Sequence, residues 1–409
     1  MTSEDTRDMD TLQEALLPEE TQQPAGQPEK ASRMTGLKMA ALAAKAAVVL
    51  LCVGMCVALL FSIVGFSGSS SAAVTGPSSV TILDKFDMFM TNKVSAALEG
   101  VMKIEKIYWL SDADQVAPKP NPANFGTADS AAELGWLLEE AAELIDGQDM
   151  LFNTDIQIWE QSQIHYYYDE TILVITWKEL IEKSVYTFSE VKIAHPSQLR
   201  RFLADGMFGS DKQYVTTDMA TNVNAVVASS GDFYKHRRFG IVVYEGVVQR
   251  FEAAVADNCY INDQGDMLMT YRNQIQSIEE AQRFVDENNI RFSLAFGPIL
   301  IDNGVECVPP SYALGEINDK YARMALCQRD ELHYLLVNST RENKSQSAHT
   351  IKQFAQIIAE KGCQKAYALD GGQTTVIAME GKAINKVVYG YQRPISDIIY
   401  FATALPDGE

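Results

Sequence analysis

The sequence predicts an α+β fold: a mixed β-sheet core with flanking helices, preceded by a single transmembrane helix and a helical stalk. Three observations carry that prediction. Runs rich in β-branched and aromatic residues, such as ILVITW (172–177) and SVYTFSEVKI (184–193), read as strands. Apolar stripes at i, i+3, i+4 and i+7 fall between such runs without strict alternation. Ala46–Phe66, AAVVLLCVGMCVALLFSIVGF, carries no charge and has the roughly 20 residues a helix needs to cross a bilayer.

Residues 1–35 are polar, with few apolar side chains, and read as a disordered cytoplasmic tail. Residues 36–67 hold the membrane span. Lys30, Arg33, Lys38 and Lys45 precede the apolar run, whereas the SGSSSAAVTGPSS that follows it is uncharged. The positive-inside rule therefore keeps the N-terminus in the cytoplasm and exports the rest as a single-pass protein of the cell membrane. The alternative is a cleaved signal peptide, since SAA after the apolar run resembles a cleavage site. The long apolar core and the polar tail ahead of it favour a retained anchor. Residues 68–156 read as a linker and helical stalk. They hold a Ser/Gly/Ala segment, a helical pattern starting at Val80, the proline-bearing loop APKPNPANFG (117–126) and the helix SAAELGWLLEEAAELI (130–145). Ser130 and Glu133 have the spacing of a capping box.

Residues 157–405 form the remaining domain. FGIVVYEGVVQRF (239–251) and TVIAMEGKAINKVVY (375–389) are each two β stretches around a Glu-Gly pair, Glu245-Gly246 and Glu380-Gly381. Glycine there supplies the positive φ that tight hairpins need. Ser277 and Glu280 have capping-box spacing ahead of a helix with Ala281, Phe284 and Val285 on one face. Ile351, Phe354, Ala355 and Ile358 stripe a second helix, closed by Gly362, with His349 read as a surface residue at its start. KAYAL (365–369) reads as a buried strand running straight into Asp370, and Tyr166-Tyr167-Tyr168 as a half-buried one.

Acidic side chains outnumber basic ones 54 to 34, for a net charge of −20, and no basic stripe is visible. Binding to nucleic acid, which needs clustered Lys and Arg against phosphate, is not expected. Cys259, Cys307, Cys327 and Cys363 would be exported, and the alternative pairings open to four cysteines cannot be told apart. No CxxC is present, so a zinc site is not expected.

The chemistry concentrates in ALDGGQTTVIAMEGK (368–382). Asp370 stands where a strand ends, the place where α/β folds put ligands. Gly371 and Gly372 let the backbone approach a ligand and turn N–H groups toward one point, which suits an anion, and Thr374 adds a hydroxyl donor. A carboxylate beside such a nest can activate water or steady a developing cation. The bland reading is a plain turn, with Asp bonded to its own backbone. Further on, YGYQRPISD (389–397) sets Arg393 beside Pro394, and an arginine held in this way suits a phosphate or carboxylate.

These residues carry a resemblance. LDGGQTTVIAMEGKAIN…QRPISD resembles the C-terminal signature of the phosphodiester glycosidase family, which includes the uncovering enzyme of mannose-6-phosphate diesters and bacterial exported homologues. Four further segments resemble family motifs in the right order: NAVVASSGDFY (224–234), FGPILIDNG (296–304), ARMALCQRDELHYLLVNST (322–340) and AHTIKQFAQIIAEKG (348–362). The resemblance implies hydrolysis of a sugar-1-phosphodiester at its glycosidic C1–O bond. Because the phosphate leaving group is a weak base, with a second pKa of about 6, it leaves with little help from an acid. On this resemblance Asp370 is the candidate base or cation stabiliser and Asp232 a second carboxylate. Arg393 and Arg323 are candidates for the phosphate clamp. Gly371, Gly372 and Thr374 would donate to the substrate, and Ser396, Ser230 and Gly231 would line the site. The implied partner is a carbohydrate phosphodiester, and the resemblance implies neither a metal nor another cofactor.

The sequence departs from the family pattern near the implied pocket. Gln373 replaces the third glycine of the turn, and Ser230 replaces an asparagine. Asn338-Ser339-Thr340 stands for Asp-Gly-Arg, and Ala348-His349 for Gly-Met. Three functions compete. The first is an anchored hydrolase acting on cell-surface glycans of a bacterial envelope. The second is a non-catalytic member that binds sugar phosphates in exopolysaccharide assembly. The third is a structural envelope protein whose domain lacks a site where Asp370, Arg323 and Arg393 converge.

Overall fold

The central strands are apolar on both edges of their alternation. From Leu173 to Trp177, odd-numbered side chains enter one core cluster, whereas Ile172 and Val174 enter another. The same split recurs further along the chain, where Leu335 and Val337 part from Tyr334 and Leu336, and Ala366 and Ala368 from Tyr367 and Leu369. A sheet built from such strands must be covered on both faces.

The computed structural model describes residues 109–112, 114–312, 316–341 and 348–407. In chain order the strands are β1 (Phe125–Ala128), β2 (Ile164–Asp169), β3 (Ile172–Ile181), β4 (Ser184–Ile193), β5 (Leu199–Leu203), β6 (Val227–Ser230), β7 (Val242–Tyr244), β8 (Val247–Arg250), β9 (Asn258–Asn262), β10 (Met267–Thr270), β11 (Ile290–Leu294), β12 (Ile299–Asp302), β13 (Val305–Glu306), β14 (Arg323–Asp330), β15 (His333–Thr340), β16 (Lys365–Leu369), β17 (Ile377–Met379), β18 (Lys382–Ala383) and β19 (Asp397–Phe401). The helices are α1 (Gly135–Glu140), α2 (Ala142–Ile145), α3 (Thr216–Asn222), α4 (Ile278–Glu287) and α5 (Ile351–Glu360).

The strands form a nine-stranded sheet in the order β1-β2-β3-β4-β15-β14-β16-β12-β13 and two five-stranded sheets, β10-β9-β11-β7-β8 and β18-β17-β6-β19-β5. One face of the large sheet packs on residues of both small sheets, among them Cys259, Leu294, Val227, Ile377 and Ile399. The other face is covered by Phe354, Ala355 and Ile358 of α5 and by Leu137, Ala141 and Ile145. The fold is thus α+β and dominated by sheet, with few helices. Its mixture is one of strands with short helices, for each described ladder is antiparallel.

Local chemistry explains the elements. Glu245 and Gly246 have φ of 51° and 74°, and Glu380 and Gly381 have 49° and 70°, the paired positive φ of two-residue hairpins. Thr350 and Gln353 form a reciprocal capping box on α5, and Gly362 follows that helix at φ 74°. Ser277 caps α4 by accepting from the Glu280 amide. Of the sequence-predicted tyrosine run, Tyr167 is buried and its two neighbours half-buried.

Some expectations meet a different structure. The tail, the span and the linker fall among residues 1–108, outside the described residues; among the described residues no helix is long and apolar enough to cross a membrane. The described part of the segment read as a stalk lies against the large sheet instead. β1 pairs with β2, and Leu134, Leu137 and Ala141 are core residues. The anchor of this segment is long-range. Glu190 Oε1 and Oε2 accept from the amides of Leu151 and Phe152, 2.7 Å each, while Arg329 and His333 meet the same carboxylate at 2.9 and 2.8 Å. His349 is buried rather than on the surface, with Nδ1 2.6 Å from the Tyr186 hydroxyl. The four cysteines in the described residues are all free.

Candidate functional site

β16 lies inside the large sheet, between β14 and β12, so its C-terminal end delivers Asp370 to a fixed place. The Asp370 amide donates to Gly231 O at 3.1 Å, and Ser230 Oγ donates to Asp370 O at 3.4 Å. These bonds tie the end of β16 to the end of β6, so the candidate site sits on the seam between two sheets. Gly371 lets the chain turn there, because a Cβ at this position would lie 2.8 Å from Ala322 O. Gly372 turns at φ 66°.

A cavity of about 310 Å³ opens at this turn. Asp370, Gly371, Gly372, Arg323 and Arg393 line it, together with Gln373, so the structure brings together five of the residues nominated from the sequence. Asp370 is buried, with Oδ2 2.9 Å from Arg393 Nη2. Burial pushes its carboxyl pKa above the ordinary value, and the Arg393 guanidinium opposes that shift without cancelling it. Arg323 uses Nη2 on the carbonyls of Glu316 and Asp319, at 2.7 Å each, and its buried Nε has no partner. Burial lowers its pKa. Among the described residues no three His, Cys, Asp or Glu side chains gather as a metal site would require.

Other nominated residues lie elsewhere or are already engaged. The Gly372 amide donates to Ala322 O at 2.8 Å and the Thr374 hydroxyl to Gly371 O at 2.8 Å, so both donors hold the turn together rather than face a ligand. Asp232 is not among the lining residues. Its Oδ2 accepts from the Ala295 amide at 2.7 Å and lies 3.6 Å from Arg201 Nη2, while Arg201 Nε meets Asp397 Oδ2 at 2.7 Å. This is a fully buried cluster of one arginine and two aspartates. Gly231 packs against it, for a Cβ there would meet Asp397 Oδ2 at 2.6 Å. Ser396 is buried, its hydroxyl has no partner, and it does not line the cavity. Ser230 supports the Asp370 backbone from below.

Residues 222–402 match the family described as phosphodiester glycosidase. That segment belongs to the phosphodiester glycosidase family. It holds β6 to β19 and every residue lining the cavity. A curated relative, the SPbeta prophage-derived uncharacterized protein YomE of Bacillus subtilis (strain 168), is 24% identical over 198 residues, 47% of this chain and 30% of that protein. The match thus spans less than a third of that relative's length. Among solved structures, the catalytic domain of zebrafish N-acetylglucosamine-1-phosphodiester alpha-N-acetylglucosaminidase, auto-inhibited by its pro-peptide, is 15% identical with a TM-score of 0.45, over 64% of this chain and 92% of that one. A hypothetical protein from Synechocystis is 15% identical with a TM-score of 0.41, over 61% of this chain and 64% of that one.

The glycosidase-family cavity also contains residues that motif reading passed over. Phe233, Phe296 and Tyr321 give it aromatic walls, and Arg237 gives it a third guanidinium. A signal for Arg237 stood in the sequence: Lys235, Arg237 and Arg238 make three basic side chains in four positions, directly after the GDFY segment. Phe233 and Phe296 stood inside the segments NAVVASSGDFY and FGPILIDNG with no role assigned to them, and nothing marked Tyr321; the three come from loops far apart in the chain.

Proposed function

We propose that this domain hydrolyses a sugar-1-phosphodiester at the glycosidic C1–O bond, adding water to C1 and releasing a free sugar and a phosphomonoester. The observation that carries this reading is the convergence of Asp370, Arg323 and Arg393 on one cavity within the family-matched segment. Ionised Asp370 takes the proton of the attacking water or steadies the positive charge that develops at C1. The arginines hold the departing phosphate and stabilise its growing charge, so no carboxylic acid is needed on the leaving side. The aromatic walls offer faces against which a sugar ring packs. The substrate is a glycan phosphodiester outside the cytoplasm, and the chain is held to the membrane through Ala46–Phe66. The basic residues ahead of that run and the uncharged segment after it support this placement.

A second reading, a sugar-phosphate-binding module without turnover, is favoured by one feature. The Gly372 amide and the Thr374 hydroxyl are consumed within the turn, and Gln373 lines the cavity in place of a glycine. Incubating the protein with UDP-N-acetylglucosamine and simple sugar-1-phosphodiesters separates the two. Sugar release that both Asp370→Asn and Arg393→Ala reduce, the first more than the second, is the expected result. Binding without release moves the assignment to the module.

A further inference from the structure

Three guanidinium groups line the cavity, and their donors are not equally available. Arg323 spends Nη2 on two backbone carbonyls. Arg393 spends Nη2 on Asp370. Arg237 has its guanidinium carbon 4.5 Å from the Phe296 ring centroid and 5.7 Å from that of Phe233; its amide donates to Phe233 O, and among the described residues its side chain makes neither a hydrogen bond nor an ion pair. An arginine laid on aromatic rings uses the flat face of its guanidinium and keeps the N–H donors along its edge. The rings also fix the plane of the group, so little freedom is lost when an acceptor arrives.

The surroundings supply a sign. Asp370 and Glu316 add acidic groups to the lining, so an anion entering this cavity needs a cation with donors still available. Arg393 is neutralised by Asp370, and Arg323 is fixed by the loop that carries Glu316. Lys235, 3.7 Å from Asp211, and the exposed Arg238 flank Arg237 in sequence but do not line the cavity.

We propose that Arg237 is the phosphate-binding residue of this cavity, taking the substrate phosphate in a two-pronged hydrogen bond along its guanidinium edge while Phe233 and Phe296 hold it in plane. Arg393 is then a positioning residue for Asp370 rather than the main clamp. This inference rests on the sugar-1-phosphodiester reading above.

The test uses the purified full-length chain with two probes. Glycerol 1-phosphate, which has no sugar, is titrated by calorimetry. UDP-N-acetylglucosamine is followed for kcat and KM. Arg237→Gln is expected to weaken glycerol 1-phosphate binding and raise KM by about tenfold or more, with kcat changed less than about threefold. Arg237→Lys, which keeps the charge but loses the fork, should fall between, and it carries the comparison if the glutamine variant does not fold. Arg238→Gln should bind as the unaltered protein does. Unchanged binding in Arg237→Gln and Arg237→Lys overturns the inference alone. So does equal weakening in Arg238→Gln, which would mean a diffuse field rather than a built contact. An unaltered protein that binds neither probe overturns the functional reading and the inference with it.

Discussion

Arg393 Nη2 donates to Asp370 Oδ2 across 2.9 Å, with the carboxylate side chain 9% exposed and the cation 42% exposed. The candidate base is therefore desolvated, and its largest compensating charge sits at the cavity mouth. Burial raises the Asp370 pKa, and Arg393 pulls it back. A base must be ionised to act, so kcat/KM should rise with pH along a limb set by Asp370, above the range of an ordinary aspartate. Arg393→Gln removes the main opposing influence and should move that limb to higher pH. Profiles for the two proteins that superimpose would show that Asp370 does not set it.

The same contact predicts non-additive kinetics. Asp370→Asn should reduce turnover by about 10²–10⁴-fold, the contribution of a well-placed base. Arg393→Ala should cost less by itself. Added to Asp370→Asn it should cost less again, because its role as a positioner vanishes with the carboxylate. A double-mutant cycle on UDP-N-acetylglucosamine hydrolysis measures this. Strictly multiplicative losses would mean that the two side chains act apart.

Gly371 and Gly372 are predicted to differ although they adjoin. At Gly371 an added methyl would sit 2.8 Å from Ala322 O, a backbone atom that cannot step aside. At Gly372 the space is open, and the cost is only that of φ 66° for a residue with a Cβ. Gly372→Ala should lose roughly 1–2 kcal/mol. Gly371→Ala should lose more, up to about 3 kcal/mol, and lower activity by displacing Asp370. Urea denaturation of both variants ranks them, and the reverse order would count against the close approach.

What the sequence reveals of this molecule is what short spacing encodes. The α5 stripe, its Gly362 stop, the Glu-Gly hairpins and the run of β16 into Asp370 are all local, and all stand in the structure as read. Asp232 and Thr374 are different. Each is polar and close to a motif, yet whether its side chain faces a cavity or a buried partner depends on Arg201, Asp397 or the turn geometry, which no local pattern contains. The segment read as a stalk was misplaced for the same reason. Its amphipathic helix fits a free-standing element as well as a docked one, and the bonds that anchor the segment link Leu151 and Phe152 to Glu190.

That Glu190 carboxylate is predicted to be a large single determinant of stability. Burial by itself would raise its pKa, but the His333 contact and the Phe152 and Leu151 amides outweigh burial and leave it lowered, so the folded state holds it ionised. Glu190→Ala would leave the Leu151 and Phe152 amides without their acceptor and take from Arg329 its buried carboxylate, leaving it the Asp149 and Lys361 carbonyls, at a cost of about 3–5 kcal/mol. Glu190→Gln should retain part of this. Thermal unfolding would measure both, and hydrogen exchange should show residues 125–152 opening first in the alanine variant. A loss within about 0.5 kcal/mol would show that the cluster contributes little.

The Arg201 cluster gives a prediction about pH. Arg201 lies between Asp397 and Asp232, with one positive charge for two carboxylates in a fully buried place. Burial, opposed by Arg201 and aided by the Asp232 carboxylate, pushes the Asp397 pKa up to about 7. The folded state thus binds this proton more tightly than the unfolded chain does, so folding is helped by the protonated form. That help is complete below the unfolded pKa near 3.8 and is lost as pH rises through about 7. Asp397→Asn removes the titration while keeping an acceptor for Arg201 Nε. Its melting temperature relative to the unaltered protein should therefore become more favourable between pH 5 and pH 8, whatever its offset at pH 5. A difference that stays constant across that range would mean Asp397 is ionised throughout, balanced by Arg201.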